Sequence, residues 1–95
     1  MSVTLSARER AHLKARAHVL DPVVRIGHAG VTEELIAETD RALTAHELIK
    51  VGIAEADREE RVAVGNALAE RLDAVAVHRV GKVLILWRPR PDTAE

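Results

Sequence analysis

Apolar residues recur along this chain with two alternating periods. Leu13, Ala17 and Leu20 stand three and four positions apart, which predicts a helix over residues 6–18 with a narrow apolar stripe. The run Pro22-Val23-Val24-Arg25-Ile26 predicts a strand, with proline tolerated at its first position. Thr32 supplies an N-cap, and Glu33 and Glu34 fall in the first turn of a second helix reaching about Ala45, where the macrodipole favours carboxylates. From Leu48 to Ala54 the pattern alternates: Ile49, Val51 and Ile53 share one face and Lys50 and Gly52 the other, as in a half-buried strand. Asp57 and Glu60 have the spacing of a capping box ahead of a third helix whose inner face uses Val64, Leu68 and Leu72. Residues 74–80 and 83–88 then flank Gly81-Lys82, a pair suited to a type II′ hairpin turn. The unbroken apolar run Val83-Leu84-Ile85-Leu86-Trp87 predicts a strand covered on both faces and central in its sheet.

The order is αβαβαββ, an α/β (α+β) arrangement around a mixed four-stranded sheet whose last two strands are antiparallel. With 95 residues the chain makes one domain over 1–95, with a core from about 5 to 89 and a loose tail over 90–95. The junction between the first strand and the second helix is Gly27-His28-Ala29-Gly30. Glycines there keep side chains out of the way and permit positive φ, so two or three amides can face a phosphate, although the same pattern also serves as an ordinary tight turn.

Charge modifies this picture through its distribution. The formal net charge is −1, yet residues 1–30 carry five basic and two acidic side chains, while residues 31–47 carry one and five. Residues 48–78 hold four basic and six acidic groups and residues 79–95 four and two. On a helical wheel Arg8, His12 and Arg16 flank one side of the first apolar stripe and Arg10, Lys14 and His18 the other. The expectation is a basic face around the first helix and the loop, with acidic faces on helices two and three. Those acidic first-turn residues oppose a phosphate placed squarely on the second helix.

Composition narrows the chemistry. There is no cysteine, which excludes thiolate catalysis and disulfides, and Trp87 is the single aromatic residue, so stacking of bases on aromatic platforms is not the main mode of any nucleic-acid contact. The five histidines form no short metal-ligand motif, and no nucleophile elbow or Walker loop is present, so neither a catalytic residue, a metal site nor a cofactor is expected. His46 reads as a structural residue between the second helix and second strand. No apolar run reaches the length of a membrane span, and the N-terminus has no signal-peptide pattern; a cytoplasmic protein and a monomer are expected.

Three blocks in order carry a resemblance: Ala17-His18-x-Leu20-x-Pro22-Val23-Val24-x-Ile26-Gly27-x-x-Gly30-Val31-Thr32-Glu33, then Ala42-Leu43-x-x-His46-Glu47-Leu48-Ile49-Lys50-Val51, then Gly81-Lys82 ahead of Leu86-Trp87-Arg88-Pro89. Together they resemble the YhbY-like family, single-domain versions of the CRM domain (chloroplast RNA splicing and ribosome maturation). The resemblance implies a fold similar to the C-terminal domain of translation initiation factor three. It also implies RNA binding and, for the bacterial stand-alone members, association with precursors of the large ribosomal subunit.

The candidate RNA-binding residues are Gly27, His28, Ala29 and Gly30 of the loop, Arg25 entering it, and Lys14, Arg16 and His18 of the first helix, with Lys50 and Lys82 as secondary candidates. The loop's two variable positions hold histidine and alanine and so bring no fixed cation. Expected partners are structured ribosomal RNA, met mainly through its sugar-phosphate backbone, and ribosomal proteins. The alternative is a protein-interaction module that docks through its acidic helices and touches no RNA.

Overall fold

The computed structural model describes residues 5–54 and 57–89; the tail expected over 90–95 lies outside them. The elements are α1 (Ala7–Ala17), β1 (Pro22–Ile26), α2 (Glu33–His46), β2 (Leu48–Ile53), α3 (Arg58–Arg71), β3 (Val75–Val80) and β4 (Val83–Trp87). Local chemistry sets the helix starts. Ser6 Oγ accepts the Glu9 amide while the Glu9 carboxylate accepts the Ser6 amide, a reciprocal capping box. Thr32 Oγ1 accepts the Leu35 amide, and Asp57 Oδ1 the Glu59 amide. In the hairpin, Gly81 takes φ +57° and Lys82 is not among the positive-φ residues, which separates a II′ turn from a I′ turn.

The sheet order is β1-β2-β4-β3: β1 and β2 run parallel, and β4 is antiparallel to both β2 and β3. Two apolar clusters lie on its opposite faces. On one face Val24, Ile26, Ile49, Val51, Ile53, Leu84 and Leu86 pack against Leu35 and Leu43 of α2 and Leu68 and Ala69 of α3. On the other, α1 presses Leu13 and Ala17 onto Leu48, Val77 and Ile85, with Leu5, Leu20 and Trp87 around them.

This second cluster corrects one expectation. β2 was expected to be half-buried, but Leu48 and Gly52 are buried as fully as Ile49, Val51 and Ile53, and Lys50 alone is partly exposed. The reason is that, on the face the alternation assigned to solvent, α1 lies over Leu48 and the Arg25 side chain of β1 lies across Gly52. With 11 residues, α1 spans about 17 Å at 1.5 Å per residue and covers only one end of that face. The other end stays open.

β3 contains a bulge between Ala76 and His78. Val77 is buried in the α1 cluster, and His78, the next residue, lies on the same face opposite Ile85. The outer edge of β3 is an edge strand, and at the bulge Arg10 Nη1 donates to the Ala76 and Val77 carbonyls. This occupies two acceptors that an edge strand otherwise offers to another chain.

Candidate nucleic-acid interface

The loop between β1 and α2 folds as a tight turn in which the Gly30 amide donates to the Gly27 carbonyl at 3.0 Å. Gly30 has φ +75°, a conformation that glycine adopts without strain. Gly27 differs: its φ is not positive, and a Cβ built there meets nothing within 4 Å. Neither backbone conformation nor internal packing of the described residues requires a glycine at 27. His28 and Ala29 stand exposed at the tip. Because the Gly30 amide is used inside the turn, the amides left to face a ligand are those of His28 and Ala29.

Arg25, the last outward-facing residue of β1, lies across Gly52 of β2 and reaches towards the hairpin. Pro22, Arg25, Ile26, Gly52, Ala54 and Lys82 line a shallow depression of about 210 Å³ beside the loop. Two backbone bonds bring these parts together: Ala54 donates to the Ile26 carbonyl and Ile53 to the Lys82 carbonyl, tying the ends of β1, β2 and the β3–β4 turn to one edge of the domain. Val83 borders this depression and a second one of about 410 Å³, where Lys14 of α1 and His18 at its C-cap meet Lys50 and His78 over Val80 and Ile85. No acidic residue lines either depression among the described residues.

Lys14, His18, Lys50, Arg25 and Lys82 thus share the open half of one sheet face with the Gly27–Gly30 loop at its end. Arg16 does not join them. The two shoulders read from the helical wheel are real, and Arg16 falls on the other one, beside His12 and Trp87 and facing Glu9 and Glu47. The same side chain borders a groove with Asp21 and His46. The structural role expected of His46 is not seen: its side chain is exposed, and the α2–β2 turn is closed by Glu47, which has φ +64°, donates to the Leu43 carbonyl and accepts the Arg88 amide.

The acidic helices are less free than their composition suggests. Glu33 at the start of α2 forms a two-pronged ion pair with Arg71, both bonds at 3.1 Å, so one of the two first-turn carboxylates near the loop is compensated. Asp40 on α2 is held by Arg88 at 2.9 Å. No group of three or more metal-ligating side chains occurs among the described residues, and none of their helices is long and apolar enough to cross a membrane.

The CRS1 / YhbY (CRM) domain matches residues 5–88 of this chain, the whole of the fold just described. The chain belongs to the CRM family. This CRM domain is 45% identical over 86 residues to a Haemophilus influenzae protein named an RNA-binding protein, covering 90% of this chain and 87% of that one. It is 35% identical over 89 residues to a Pseudomonas aeruginosa protein named a probable RNA-binding protein, covering 94% and 86%. The solution structure of a Staphylococcus aureus protein superposes with a TM-score of 0.81 at 27% identity, covering 90% of each chain. The mixed sheet flanked by three helices is therefore shared with a solved relative.

One residue of the CRM domain's open face, His78, was not legible as a candidate. Strict alternation places it on the face opposite Val77, and only the bulge turns both to the α1 side.

Proposed function

We propose that this CRM domain is an RNA-binding module without turnover that grips the sugar-phosphate backbone of structured ribosomal RNA. The grip lies between the Gly27–Gly30 loop and the open half of the sheet face. The observation that carries this reading is the convergence of Lys14, His18, Lys50, Arg25 and Lys82 on one face with no carboxylate lining it among the described residues. Uncompensated cations beside a bare turn attract phosphates irrespective of base sequence. The names of the Haemophilus and Pseudomonas relatives support the same ligand class. Gly27 fits this use, because its missing side chain lets a backbone approach closely where nothing internal demands it.

Within the cell the domain associates with precursors of the large ribosomal subunit and assists their assembly; its place is the cytoplasm, and it acts as a monomer, with ribosomal proteins as neighbours. The near-neutral overall charge suits a protein that works on a larger ribonucleoprotein surface rather than on any free RNA. Sedimentation of cell extract on a density gradient tests this part. The parent protein is expected with large-subunit precursors and the His28→Asp, Ala29→Asp variant at the top; both remaining at the top at low salt contradicts it. The intramolecular pairing of Glu33 and Asp40 weighs against the alternative of acidic helices docking a partner protein.

A further inference from the structure

Around the corner from the open sheet face, the outer edge of β3, the start of α3 and Arg10 of α1 enclose a groove of about 600 Å³. Arg10, Arg58, Arg61 and Arg79 line it together with His78, and no acidic side chain lines it among the described residues. Two of these arginines are held by neutral acceptors. Arg10 donates to the Ala76 and Val77 carbonyls, and Arg79 Nη2 donates to Asn66 Oδ1. A guanidinium carries five N–H donors, so such bonds orient it while leaving its charge and several donors unspent. Neither Arg10, Arg58 nor Arg79 forms an ion pair among the described residues. That distinguishes them from Arg71 and Arg88, which are neutralised by Glu33 and Asp40.

The groove is also continuous with the face described above, because His78 lines both it and the depression of Lys14 and Lys50. Four strands at about 4.8 Å spacing put β1 and β3 about 14 Å apart, a width that accommodates more than one phosphate. An added β-strand is a poor occupant, since Arg10 already occupies two of the edge carbonyls. Oriented, uncompensated guanidiniums match phosphate oxygens, which they bind in two-pronged fashion.

We propose that the arginine groove at the β3 edge is a second phosphate subsite, into which the RNA backbone continues from the loop face past His78. This rests on the reading that the domain binds RNA, and deepens it by adding Arg58, Arg79 and His78 to the contact surface.

The test is a titration of a labelled stem-loop RNA over a series of salt concentrations, using the full chain, the Arg58→Ala, Arg79→Ala variant and the His28→Asp, Ala29→Asp variant. Arg58→Ala alone is included because its exposed side chain makes none of the described hydrogen bonds. The groove variants are expected to bind several-fold more weakly, with the slope of log affinity against log salt reduced by about one unit per arginine. The Arg58→Lys, Arg79→Lys pair should recover most of the slope. If the groove variants keep the parent's affinity and slope while the loop variant loses binding, the second subsite is wrong and the proposed function stands. A parent that binds a poly-glutamate peptide in preference to the RNA overturns both and makes the groove a protein-docking site.

Discussion

Arg25 crosses the bare backbone of Gly52. A Cβ at position 52 would stand 3.3 Å from Arg25 Nη1 and 3.6 Å from its Cγ. Glycine is unfavourable inside a strand, and here its absent side chain lets a cation lie flat against β2 beside the loop and Lys82. Gly52→Ala is therefore expected to leave the melting temperature unchanged or slightly raised while weakening RNA binding several-fold, because the exposed Arg25 yields before the sheet does. Thermal unfolding and an RNA titration on the same sample check this; a loss of both together would mean that Gly52 serves only the fold.

Arg10 bridges α1 to the bulge of β3. Replacing it by alanine leaves the Ala76 and Val77 carbonyls without that donor and opens the edge strand. The expected cost is about 1–3 kcal/mol in urea unfolding, together with a rise in self-association seen by sedimentation velocity. Arg10→Ala with unchanged stability and a strictly monomeric profile would contradict this account of the edge.

Arg88 belongs to the basic C-terminal segment but not to the open sheet face. Its guanidinium reaches the Asp40 carboxylate and carbonyl, Thr44 Oγ1 and the Leu72 carbonyl, joining the end of β4 to α2 and to the end of α3. Arg88→Ala should lower stability by about 1–3 kcal/mol and leave the slope of log RNA affinity against log salt the same as the parent's. A fall in slope would place Arg88 on the RNA side.

Glu9 gives the fold a defined acid sensitivity. The hydrogen bond from the Ser6 backbone amide, followed by the one from the Ser6 side chain, holds its carboxyl below the usual carboxylate range. A carboxylate depressed in the folded state contributes stability above its unfolded value, and that contribution is lost as pH falls through the folded value. The stability of the parent should therefore drop further between about pH 5 and pH 3 than that of Glu9→Gln, and the two should converge at the acid end. Paired melts across that range decide the matter, and parallel curves would show that the charge of Glu9 adds nothing beyond the box that glutamine also forms.

Much of the fold was legible because local signals agreed with it: Thr32 and Asp57 cap their helices, Gly81 takes positive φ, and the unbroken apolar run of β4 does lie between two strands. The Ser6-Glu9 box went unread, although its Ser-x-x-Glu spacing carries the signal. What period-2 reasoning missed depends on long-range packing. Leu48 is buried because α1 folds back over β2, and His78 faces the open side of the sheet because an extra residue sits in β3. At the site, the wheel separated the two cationic shoulders of α1 correctly but had no means of deciding which one borders the loop. Arg16 consequently parts from Lys14 and His18. Arg58 and Arg79 carried no signal, since their proximity arises only when α3 packs beside β3.

The proposed grip holds phosphates between the Gly27–Gly30 loop and the open sheet face. The most direct measurement is the affinity of the parent and of the His28→Asp, Ala29→Asp variant for a structured ribosomal RNA fragment over a range of salt. Both substituted positions are exposed, so the fold is expected to survive. A steep inverse dependence on salt is expected for the parent, slightly under one unit of slope per phosphate contact, with loss of binding in the variant. Equal affinity of the two proteins, or a parent affinity indifferent to salt, would contradict it.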